Sequence, residues 1–139
     1  MLDALLSLNW LSVLLASVAN FALGAVWFMV LFKRQYAAAL QLDAPEDSEK
    51  PSALFIIGPF LCGVVTIAAT AFLFRLLQVS SVGDALVLGA VIGFGFVGAT
   101  TVNIAINPKF PSPLHYSLIN VPYFVLGSLM SSLILVLMH

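Results

Sequence analysis

Four long apolar segments, almost free of ionised side chains, occupy most of this chain. They cover about residues 4–32, 53–77, 85–107 and 114–138. An α-helix needs about 20 predominantly apolar residues to cross the hydrocarbon core of a bilayer. Since lipid offers no hydrogen-bond partner to the backbone, segments of this kind are expected to cross it as helices. The sequence therefore predicts an all-α bundle of four transmembrane helices, forming a single integral-membrane domain over residues 1–139.

Charged side chains are few and unevenly placed. Only 8% of the 139 residues are Asp, Glu, Lys or Arg, whereas an average soluble protein has about 25%. Seven of the eleven charged residues lie between Lys33 and Lys50, which leaves four for the other 121 residues. This composition excludes a soluble globular enzyme, and it provides no basic surface for nucleic acid. We expect the lipid bilayer as a partner and no nucleic acid.

The long polar connection covers residues 33–52. It begins with Lys33 and Arg34, continues with Ala, Leu and Gln over residues 37–42, and becomes acidic over residues 43–49. Because Ala, Leu and Gln favour helix, the first part fits a short helix lying in the membrane interface after the first span. We interpret the rest as a solvated connector, with a partner-docking loop as the alternative.

The distribution of Lys and Arg predicts the orientation in the membrane. Lys33, Arg34, Lys50 and Lys109 fall on one side, and Arg75 falls on the other side with both termini. Short loops rich in Lys and Arg remain in the cytoplasm. We therefore expect a multi-pass protein of the cell (plasma or inner) membrane, with the 33–52 loop in the cytoplasm and both termini outside.

Small and uncharged polar residues recur at helical spacing within the spans. Side chains three and four residues apart share a helix face. Inside a bilayer, small residues let helix backbones approach, and Ser, Thr and Asn form hydrogen bonds between helices. The candidate polar positions are Asn20, Thr66, Thr70, Thr100, Asn103, Asn107 and Asn120, and the candidate helix-packing positions are Gly24, Gly89, Gly93 and Gly127. The polar set has two interpretations: interhelical hydrogen bonds, or the lining of a cavity for a small solute.

Prolines and polar residues predict where helices bend and begin. Pro59 and Pro122 lie within spans and lack the N–H that would bond to the fourth preceding carbonyl, so both predict kinks. Ser81 and Asp84 are spaced as a capping box that opens the third helix. We expect Arg75 to reach the headgroups, where it is also placed to pair with Asp84 across the short turn.

Residues that carry catalytic or metal chemistry are scarce. His115, His139 and Cys62 have no partners at ligand spacing, and no nucleophile, phosphate-binding or zinc motif is present. We therefore expect no catalytic residues, no metal, no cofactor and no enzymatic activity. The leading hypothesis is a structural or accessory membrane subunit that associates through its glycine faces, as a homo-oligomer or within a larger membrane complex. The alternative is a small-solute channel or transporter with an Asn/Thr-lined polar path.

Two stretches of the chain carry a family resemblance. The first comprises Asn9-Trp10-Leu11 and then Asn20-Phe21-x-Leu23-Gly24-Ala25-x-Trp27-Phe28. The second runs from Gly95-Phe96-Val97 through Asn103 and a Pro-rich turn to Ile119-Asn120 and Tyr123. Together they resemble the small bacterial integral-membrane family catalogued as domain of unknown function 1761. The resemblance implies a four-helix membrane protein and brings no established activity.

Overall fold

Six helices make up the part of the chain that the computed structural model describes, which is residues 2–41 and 53–138. No strand occurs in these two ranges, so the all-α class is confirmed. We number the helices in chain order. They are α1 (Leu2–Leu6), α2 (Trp10–Val26, continued as a π-helix over Trp27–Leu31), α3 (Lys33–Ala39), α4 (Ala53–Leu77), α5 (Val82–Ala90, π-helical over Val91–Gly98, then α-helical over Ala99–Ala105) and α6 (Pro113–Leu137).

Four of these helices are long and apolar enough to cross a membrane, as predicted. The qualifying segments are Trp10–Leu31, Ile56–Leu77, Val82–Ala105 and Pro113–Leu137. Their mean hydropathies lie between 1.8 and 2.2. The chain is thus a membrane protein by the length and composition of its helices, and the predicted spans agree with them to within a few residues except at the first.

The first span differs from the prediction because Asn9 interrupts it. A continuous helix was expected from residue 4, but α1 ends at Leu6 and α2 begins only at Trp10. The Asn9 side chain accepts a hydrogen bond from the Ser12 N–H at 3.2 Å, which caps the new helix. Its Nδ2 also donates to the Met138 carbonyl at 2.8 Å, so this residue ties the start of α2 to the end of α6.

Two connections between the spans agree only in part with the predictions made from the sequence. The short helix expected after the first span is present as α3, while residues 42–52 of the polar loop lie outside the described residues. The capping box is confirmed, because Ser81 Oγ accepts from the Asp84 N–H at 3.0 Å and donates to its carboxylate at 2.7 Å. Arg75 does not pair with Asp84; it donates to the Ser7 carbonyl at 2.8 Å.

Side chains are sorted by size around the spans. On α2, the buried residues are Ser12, Val13, Ala16 and Ser17, and the exposed ones include Leu11, Leu14, Leu15 and Val18. Lipid is as apolar as leucine, so large apolar residues gain little by turning inward, whereas small ones allow close helix contact. An apolar cluster around Phe74, which is only 1% exposed, fills the end of the bundle that holds the chain termini.

Helix α6 is the centre of the bundle, and α2 runs antiparallel along it. A side-chain carbon added at Gly24 would lie 2.9 Å from the Tyr123 hydroxyl, and one added at Gly127 would contact Asn20 Oδ1. A third contact, the hydrogen bond from Asn9 to Met138, follows the same antiparallel pairing. In all three pairs, a step along α2 corresponds to an equal step backward along α6, so small residues of the two helices face one another in a fixed register.

Helix α5 packs against the neighbouring face of α6 through two glycines. A side-chain carbon at Gly89 would lie 2.7 Å from Ser132 Oγ, and one at Gly93 would lie 2.8 Å from the Cα of Val125. Real Cβ atoms essentially never approach other heavy atoms this closely. The two backbones therefore approach one another at Gly89 and Gly93 because no side chain separates them.

Both prolines lie inside helices that continue past them. Pro59 is in α4 and Pro122 is in α6. Pro122 cannot donate to the carbonyl of Leu118. The indole N–H of Trp27 donates to the next carbonyl, that of Ile119, at 3.1 Å. A side chain from α2 therefore supports the backbone of α6 beside its proline.

We predict that Gly93→Ala destabilises the bundle and that Gly95→Ala does not. The added carbon at position 93 meets the backbone of Val125, which cannot move aside as a flexible side chain would, whereas nothing lies within 4 Å of it at position 95. Overpacking of this kind costs about 1–3 kcal/mol. Thermal unfolding of both variants in the same detergent measures the difference. Equal stability of the two variants would contradict the packing described here.

Candidate functional site

The candidate site is a buried polar seam between α2, α4 and α6, centred on Asn20. Asn20 Oδ1 contacts Gly127 on α6, and Nδ2 lies 3.8 Å from the position of a side-chain carbon at Gly63 on α4. The oxygen is buried and accepts no hydrogen bond within the described residues. Glycine on both opposing helices therefore makes the room that the Asn20 amide occupies.

Serines extend the seam along α6 toward the chain termini. Ser131 is 3% exposed and Ser132 is fully buried, and neither hydroxyl has a hydrogen-bond partner in the described part of the chain. On α2, Ser17 Oγ instead donates to the carbonyl of Val13 at 2.7 Å. Ser132 lies against Gly89, so these hydroxyls occupy the places where helix backbones approach most closely.

Three of the predicted polar residues bond to their own helices. Thr66 Oγ1 donates to the Cys62 carbonyl and Thr70 Oγ1 to the Thr66 carbonyl, both at 2.9 Å. Asn120 Nδ2 donates to the Tyr116 carbonyl at 2.8 Å. Of these three, Thr70 and Asn120 are buried and Thr66 is exposed. A side chain that bonds to its own helix does not link two helices by that hydrogen bond. Thr70 and Asn120 therefore fill space between helices, while Thr66 lies on the outside of α4.

The remaining predicted polar residues lie on the outside of α5 or, for Asn107, in the turn that follows it. Thr100, Asn103 and Asn107 are all exposed, whereas Thr101 is buried. The cause is the π-helical segment Val91–Gly98, in which N–H groups bond to the fifth preceding carbonyl, as Ala99 does to Phe94. Because the wider turn shifts the following residues around the axis, the face that continues from Gly89 and Gly93 carries Thr101 and Ala105. The structure thus does not bring Asn103 together with Asn20 and Asn120.

A chain of aromatic rings closes the other end of the bundle. Phe28 stacks edge-on against Tyr123 at 4.9 Å between ring centroids and also contacts Tyr36 of α3 at 4.9 Å. Tyr36 in turn lies 6.0 Å from Tyr116 of α6. Burial raises the pKa of Tyr36 above its ordinary value of 10.0. The nearby Tyr116, to which Tyr36 is hydrogen-bonded, adds to this increase. These contacts dock α3 against the ends of α2 and α6.

The chemistry available to the seam is limited to neutral hydrogen bonding. No group of three or more His, Cys, Asp and Glu side chains that could hold a metal ion occurs among the described residues. A cavity of about 40 Å³, lined in part by Asn9, Ser12 and Arg75, lies at the terminal end, and its lining does not include Asn20. A volume of this size suits about two or three water molecules. This cavity therefore lies apart from Asn20 and does not extend the seam.

Comparison with known proteins identifies the family of this bundle. The family model described as Protein of unknown function (DUF1761) matches residues 11–136. The chain belongs to this family. The match runs from the first turn of α2 to the last turn of α6, so it confirms the resemblance drawn from the sequence. No curated protein and no solved structure matches the chain.

Several contacts in this DUF1761 chain were missed by sequence reasoning. The spacing of Phe28, Phe32 and Tyr36 at four-residue intervals is a signal for the aromatic chain, because it places rings on adjoining helix faces. The burial of Thr101 had no such signal, since a π-helical turn is not visible in the hydrophobic pattern. The inward orientation of the Ser132 hydroxyl can be predicted only when its contact with Gly89 on α5 is known.

We predict that Gly127→Ala destabilises the DUF1761 bundle and that Asn20→Ala relieves the effect. The added methyl group would overlap Asn20 Oδ1, and shortening Asn20 removes the obstructing atom. Residues in contact show coupling energies of about 0.5–3 kcal/mol in a double-mutant cycle. Unfolding of the two single variants and the double variant measures this coupling. Strictly additive losses would show that position 127 and Asn20 are not in contact.

Proposed function

We propose that this chain is a non-enzymatic, structural or accessory membrane subunit that associates with a second copy of itself or with a larger membrane complex. The observation that supports this proposal is the set of small and polar side chains on the outside of α5. Elsewhere on the spans the exposed residues are mainly large and apolar, as expected for contact with lipid. A polar side chain that faces lipid gains a partner when another helix covers it.

The outer face of α5 has the features of a helix-packing surface. Gly95, Ala99 and Asn103 are exposed and recur every four residues. Nothing lies within 4 Å of a side-chain carbon placed at Gly95, so this glycine is open to an approaching backbone. The Asn103 amide carries both donors and an acceptor, and two copies related by a two-fold axis can therefore pair their amides.

The four glycines first considered for self-association contact the chain itself. Gly24, Gly89, Gly93 and Gly127 all lie against other helices of the same bundle. Association between chains would therefore use the outer face of α5 in their place. The same geometry gives less support to a polar solute path, because such a path needs Asn103 to face the same cavity as Asn20.

The proposed location is a cell membrane, with the 33–52 loop in the cytoplasm and both termini outside. Lys33, Arg34 and Lys109 are exposed near one end of the bundle, and Arg75 is exposed near the other. Both described acidic residues, Asp3 and Asp84, belong to the end that holds Arg75. The concentration of Lys and Arg supports a cytoplasmic position for the first end.

We predict that Asn103→Leu weakens self-association while the monomer remains folded. The substitution removes an exposed amide without touching a described intrachain hydrogen bond. A hydrogen bond between membrane helices contributes on average about 0.6 kcal/mol and at most about 1.7 kcal/mol, so the dissociation constant should rise about 3- to 20-fold. Energy transfer between labelled chains in liposomes measures this change, with Ile104→Leu as the matched exposed control. An unchanged dissociation constant would remove the support for this surface, provided that helicity is the same in both variants.

We also predict that a single cysteine placed in the polar loop is protected from outside. In a Cys62→Ser chain with Asp47→Cys, a membrane-impermeant thiol reagent should label the protein in opened cells and not in intact ones. The same reagent should label a cysteine introduced at Ser80, near the opposite end of the bundle, in intact cells. Labelling of position 47 in intact cells would contradict the proposed orientation.

A further inference from the structure

We draw no further inference here: the strongest candidate, the open apolar groove between α5 and α6 that is lined by Phe94, Ile106, Leu118 and Leu126, carries none because nothing in the structure shows what covers it.

Discussion

Close contact between small side chains on α6 and its neighbours is the interaction on which this bundle depends. In lipid there is no hydrophobic force to bring apolar helices together, so packing relies on dispersion contacts and hydrogen bonds at short range. The chain meets this constraint with Gly24, Asn20 and Gly127 between α2 and α6, and with Gly89 and Gly93 between α5 and α6. A larger side chain at any of the four glycines would meet atoms of the opposing helix or force them to move.

The sequence was sufficient for the fold class, the number of spans and several of the contacts between them. Length and hydropathy determine the four long helices, and the Ser81 capping box and the α2 stripe that contains Asn20 follow from local chemistry and spacing. The register of the outer half of α5 could not be predicted, because the π-helical segment shifts Thr101 inward and leaves Thr100 and Asn103 outside. Gly93 and Gly98 of this segment both lie close to α6, but the spacing of apolar residues gives no sign of the π-helical turn between them.

The interior and the exterior of the bundle differ in what they can bind. Inside, the polar groups are neutral, and most of them bond to their own helix or lie against a glycine. Outside, α5 carries an open glycine and an exposed amide on one face, and it forms one wall of an apolar groove on the next. We propose that these surfaces serve contacts with other helices and with lipid rather than solute transport.

The register between α2 and α6 can be measured directly by disulfide formation. The contacts of Gly24 with Tyr123 and of Asn20 with Gly127 place Ala16 opposite Ser131, and both residues are almost fully buried. In a Cys62→Ser chain, the Ala16→Cys and Ser131→Cys pair should form a disulfide under mild oxidation, since bonding requires Cα atoms within about 7 Å. The pair Ala16→Cys with Met130→Cys should not, because position 130 lies on another face of α6. Faster oxidation of the second pair would contradict the central packing of this bundle.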